Sequence, residues 1–103
     1  MSQDDTKTGA QVLRALEMLE CLAGRVVDGM SNKDLAAAMR CPPSYVTRTA
    51  AVLIGKGWVE KDEATERFRI TTRFSRLTFR VSADFERAKN DLEQVQRNYT
   101  LTN

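Results

Sequence analysis

Ser44, Tyr45, Thr47 and Arg48 stand close together in the segment PSYVTRTAAVL. Without a histidine, and the chain has none, these side chains lack an obvious base for covalent catalysis. They suit hydrogen bonding to nucleic acid. An arginine can donate two hydrogen bonds to guanine in the DNA major groove, worth about 1–3 kcal/mol of discrimination. Arg48 is the first choice for such a base contact, with a phosphate contact as the alternative. Ser44 and Thr47 can meet base edges or phosphate. Tyr45 either donates to a phosphate or covers the first helix of its motif.

These residues need a frame. Ser31 with Asp34 three residues later predicts a capped helix start, and Leu35, Ala36, Ala38 and Met39 give that helix a small apolar side. Pro42 and Pro43 cannot continue it, but a proline fits the first turn of a new helix. In that second helix Val46, Ala50 and Leu53 recur at helical spacing, so Ser44, Tyr45, Thr47, Arg48 and Ala51 face elsewhere. A helix with one buried face and one small, polar, singly basic face can enter a major groove.

Upstream, GAQVLRALEMLECLA carries a polar stripe of Gln11, Arg14, Glu17 and Glu20 on an otherwise apolar helix. So wide an apolar arc is either buried deeply in one chain or shared with a second subunit. Gly24 is a plausible stop, and RVVDGM reads as a loop with a very short strand near Val26 and Val27 or near Met30. Residues 1–8 read as a frayed polar tail. After the second helix, WVEKDEATERFRIT predicts a β-hairpin around the turn Asp62 to Glu66, with Phe68 and Ile70 inward and Arg67 and Arg69 outward. Lys61, Arg67 and Arg69 would then lie along the DNA backbone or enter the minor groove.

The last segment, from about Thr72 to Tyr99, is the longest helical candidate. Arg73, Arg76 and Arg80 form a stripe that either contacts phosphates or is a solvated helix face. Val81, Phe85, Ala88, Leu92, Val95 and Tyr99 are spaced 4, 3, 4, 3 and 4, a heptad seam. Such a seam either forms a coiled coil with a second copy or packs back on its own domain. With Phe85, Leu92 and Tyr99 at a, Asp84 falls at g and Lys89 at the next e, an attractive pair across a parallel dimer.

Composition supports this frame. One hundred and three residues suit one compact domain. Residues 1–39, 40–80 and 81–103 carry net charges of −2, +5 and −1, so the positive excess is confined to the middle stretch. That is the footprint of a surface facing phosphates, or of a basic solvated face. No apolar run approaches the roughly 20 residues that span a bilayer, and the N-terminus lacks a signal-peptide pattern, so a cytoplasmic location is expected. Cys21 and Cys41, with no histidine beside them, read as small buried hydrophobes, and no metal or cofactor is expected.

From Val12 to about Leu77 the chain resembles the DNA-binding domain of the IclR-type transcription regulators. The likeness rests on VLRALEMLECLA, MSNKDLA, PSYVTRTAAVL, GWVEKD and FRIT followed by RFSRL, in that order. The resemblance implies a winged helix-turn-helix, over 9–76 here; with the heptad seam, the expected fold is mainly α with a small β-hairpin, the winged helix-turn-helix being followed by a long C-terminal dimerisation helix over 77–103. It implies a homodimer on double-stranded DNA, with Pro43, Ser44, Tyr45, Thr47 and Arg48 at the groove-facing positions. Three departures stand out. Arg40 occupies a turn position usually given to glycine, Thr49 and Ala50 replace leucines, and the family's effector domain is not in these residues. The competing class is a winged-helix adaptor that binds an unidentified partner protein; an enzyme is not expected.

Overall fold

The computed structural model describes residues 3–101, and side chains within 9–101. The element order is α1 (Gln3–Ala23), α2 (Asn32–Met39), α3 (Pro43–Gly55), β1 (Val59–Lys61), β2 (Phe68–Ile70) and α4 (Thr72–Leu101). This is a winged helix-turn-helix followed by a long helix. The chain divides into two units between Arg73 and Phe74. The tail expected over residues 1–8 lies outside the described residues at Met1 and Ser2, and from Gln3 the backbone is helical.

In the first unit one core joins every element. Met18 and Leu22 of α1 meet Leu35, Ala36 and Met39 of α2, Val46, Ala50 and Leu53 of α3, and Val59 and Phe68 of the hairpin. Cys21 and Cys41 are half-buried against this cluster with free thiols. The apolar arc of α1 is only partly used, since Val12, Leu13 and Leu16 stay exposed.

Local chemistry sets the element boundaries. Ser31 Oγ accepts from the Asp34 backbone amide at 3.1 Å and caps α2, as the spacing of the pair predicts. At the other end Arg40 is left-handed (φ 54, ψ 49), and the Cys41 amide donates to the Ala36 carbonyl at 3.1 Å. Pro43 opens α3, where the missing amide proton costs nothing.

The hairpin pairs antiparallel, Val59 with Ile70 and Lys61 with Phe68. Of the two sites suggested for a short strand in the RVVDGM loop, Val26 and Val27 lie in an exposed turn, whereas Met30 bridges Phe68. The alternation that puts Phe68 inward makes its two backbone groups available to Met30, at 2.9 and 2.8 Å. Gly29 permits this close approach, because its φ is +72 and a Cβ would stand 2.4 Å from the Phe68 carbonyl oxygen.

Candidate nucleic-acid interface

One side of α3 is spent on the core, through Val46, Thr49, Ala50 and Leu53. The other presents Pro43, Ser44, Thr47 and Arg48 to solvent. With Thr49 and Ala50 at leucine positions, packing under the helix is light. A hollow of about 260 Å³ remains between α1 and α3, walled by Val12, Ala15, Tyr45, Thr49 and Val52 among others.

Tyr45 is half-buried between two guanidinium groups. Arg14 of α1 lies 4.5 Å from the ring centroid and Arg48 lies 5.2 Å from it. Each cation faces the electron-rich ring, which orients Arg48 without neutralising it. Through Arg14 the ring lies against α1. Among the described residues Arg48 has no salt bridge.

Thr47 is held from below. Its hydroxyl donates to the Pro43 carbonyl at 3.2 Å and accepts from Asn32 Nδ2 at 3.0 Å. The same Asn32 nitrogen donates to the Pro43 carbonyl at 3.2 Å. Sequence pattern gives neither Asn32 nor Arg14 a role at α3, because each acts on a residue far along the chain.

The wing departs most from the expectation. Arg67 is half-buried; its Nε donates to the Asp28 carbonyl at 3.1 Å and its Nη2 to the Gly29 carbonyl at 3.3 Å, with the Asp34 carboxylate 3.7 Å away. Arg69 is also half-buried, 3.5 Å from Glu60 and 3.8 Å from Asp62. Both point off the core face but are engaged by the protein's own acceptors. Lys61 is exposed, its ammonium 5.7 Å from the Phe68 ring centroid.

Arg73 is likewise tied inward. Its guanidinium donates to the Lys56 carbonyl at 3.0 Å and lies 5.1 Å from the centre of the Trp58 ring. That closes the end of α3, where helix carbonyls lack partners. Arg76 and Arg80 are exposed, without salt bridges among the described residues.

Within its own unit α4 has no buried residue, and the seam residues Val81, Phe85, Leu92, Val95 and Tyr99 are all exposed. Asp84, expected to pair with Lys89 of a second copy, is engaged by Arg87 one turn along the same helix.

Burial, followed by the nearby carboxylates of Glu17 and Glu20, pushes the Cys21 thiol up. It is thus a poor nucleophile at neutral pH. No group of residues able to hold a metal ion occurs among the described residues.

The model of the IclR helix-turn-helix domain matches residues 11–63, just over half of the chain. The chain belongs to the IclR helix-turn-helix family. Neither the curated proteins nor the solved structures gave a match. An IclR helix-turn-helix is a DNA-binding domain of transcription regulators rather than a catalytic one. The match runs from Gln11 in α1 to Glu63 at the tip of the wing, so it includes Arg48 and Asn32. The FRIT and RFSRL part of the resemblance lies beyond it. Among the described residues no helix is long and apolar enough to cross a membrane.

Proposed function

We propose that this chain is a sequence-specific double-stranded DNA-binding regulator that acts as a homodimer, with α3 in the major groove. The observation that carries the reading is the division of α3. One side, Val46, Thr49, Ala50 and Leu53, is buried in the core, which leaves Ser44, Thr47 and an unneutralised, ring-oriented Arg48 on the open side. Arg48 reads guanine, and Pro43 and Ser44 lie at the groove edge. Tyr45 acts chiefly by holding Arg48.

The wing supplies Lys61 to the backbone or minor groove, while Arg67 and Arg69 act first by fixing the wing's shape. Arg76 and Arg80 bind phosphate, and Arg73 anchors the start of their helix. Pairing through Val81, Phe85, Ala88, Leu92, Val95 and Tyr99 brings two copies together on a palindromic site.

Gel-shift titration of the full chain on mixed duplex DNA at two salt concentrations tests this directly. Binding should weaken steeply with salt, and Arg76→Ala with Arg80→Ala should flatten the slope by about 0.9 per lost phosphate contact. Arg48→Ala should cost about 1–3 kcal/mol on the preferred site and little on random sequence. Binding that ignores salt would overturn the reading.

An adaptor function is the second reading, favoured by the exposed Val12, Leu13 and Leu16 beside the apolar hollow. A protein partner, in place of DNA, would then occupy α1. Salt-insensitive duplex titrations would support it.

A further inference from the structure

Thr47 occupies the open side of α3, yet its hydroxyl is already committed. It has one proton, which goes to the Pro43 carbonyl at 3.2 Å, and two lone pairs, one of which takes the Asn32 amide at 3.0 Å. The orientation of that amide is dictated by its surroundings. Asn32 Nδ2 also meets the Pro43 carbonyl at 3.2 Å, an acceptor only, so the nitrogen must face it. A threonine in a helix often back-bonds to the preceding turn on its own. Here a second residue, reaching from the start of α2, closes the arrangement from the other side.

The consequence is geometric. With Oγ1 turned to the carbonyl one turn back, staggering places the γ-methyl in a different well, away from both partners. The exposed end of Thr47 then lacks a hydrogen-bond donor and carries a methyl group. In the major groove the matching apolar feature is the C5-methyl of thymine.

We propose that Thr47 recognises a thymine through methyl contact, and that Asn32 is the positioning residue that holds the hydroxyl out of the groove. This rests on the reading of α3 as the recognition helix. It deepens that reading by assigning one base preference and a residue outside α3 that enforces it. Thr47 and Arg48 are adjacent, so the thymine lies near the guanine read by Arg48.

The test uses the full chain and begins with selection of preferred sites from random duplexes. Each thymine of the selected site is then replaced in turn by deoxyuridine, which removes only the C5-methyl, and affinity is measured by gel shift. The wild type should lose about fourfold at one thymine per half-site, the value of burying one methyl group. Thr47→Val keeps a methyl and should keep this dependence. Thr47→Ser keeps the hydroxyl and should lose it, binding thymine and deoxyuridine sites equally.

Asn32→Ala should shrink the thymine dependence while leaving the salt slope unchanged, which a merely structural role would not do. Thermal melts of each variant establish that it is folded at the assay temperature. A wild type indifferent to deoxyuridine, or a Thr47→Ser variant that still distinguishes it, overturns the inference and leaves α3 as the recognition helix. Absence of salt-sensitive duplex binding by the wild type overturns both.

Discussion

Arg40 adopts a left-handed backbone at the C-cap of α2, the conformation a non-glycine residue avoids. The Cβ contact costs about 1–2 kcal/mol, and glycine would remove it while adding freedom to the unfolded chain. The balance predicts that Arg40→Gly raises stability by about 0.5–1 kcal/mol, read from the urea midpoint at unchanged m. Arg40→Val, branched at Cβ, should lower stability by at least about 1 kcal/mol. A gain with valine would show that the turn is not held left-handed in solution. This residue was legible in the sequence, since an arginine stands where the resemblance expects glycine and two prolines follow. Asn32 was not legible. Its partners are 11 and 15 residues further on, and only the packing of α2 against α3 brings them within reach.

The wing shows the same limit for an element. Alternation predicted the hairpin and the inward Phe68 because strand geometry is local. It did not predict that Arg67 is spent on the protein itself, for its carbonyl partners lie 39 and 38 residues upstream. Those contacts depend on Gly29, and Gly29→Ala combines a positive φ with a Cβ driven into the Phe68 carbonyl. A loss of at least about 2 kcal/mol is expected, with the wing amides losing exchange protection first. At the tip Asp62 Oδ1 accepts from the Ala64 amide at 2.8 Å and the Thr65 amide at 3.1 Å. These backbone donors, Thr65 before Ala64, hold the Asp62 carboxyl below its ordinary value, with Arg69 adding to the effect. A lowered folded-state value stabilises the turn fully above the ordinary value of 3.8 and loses that contribution as pH falls through the folded value. Exchange at the Ala64 and Thr65 amides, corrected for intrinsic rates, should therefore rise on acidification below that point. In Asp62→Asn the pH dependence should flatten. An unchanged profile in the variant would assign the effect to another carboxyl.

At the scale of the whole molecule, affinity has to come from more than one face, because α3 offers few cations and the wing arginines are internally engaged. Pairing two copies multiplies weak half-site contacts, since the second contact becomes intramolecular. The 30-residue α4 is suited to this: none of its residues is buried, yet it carries a run of large apolar side chains at heptad spacing. A helix of that kind gains little from its own backbone in water and is stabilised by covering the seam. Phe85 and Tyr99, 73% and 72% exposed, are the largest side chains of the seam, and Leu92 lies between them at the same heptad position. Putting a carboxylate there, as in Leu92→Glu, removes about 1.5 kcal/mol or more of burial from each of two chains and so weakens pairing at least about a hundredfold. Sedimentation at tens of micromolar should find the wild type dimeric and Leu92→Glu monomeric, with Glu93→Gln, one position off the seam, unaffected. Affinity for a two-half-site duplex should fall in Leu92→Glu, whereas affinity for a single half-site should stay near that of the wild type. A wild-type chain that sediments as a monomer at that concentration would remove the seam from the mechanism and leave each recognition helix to bind alone.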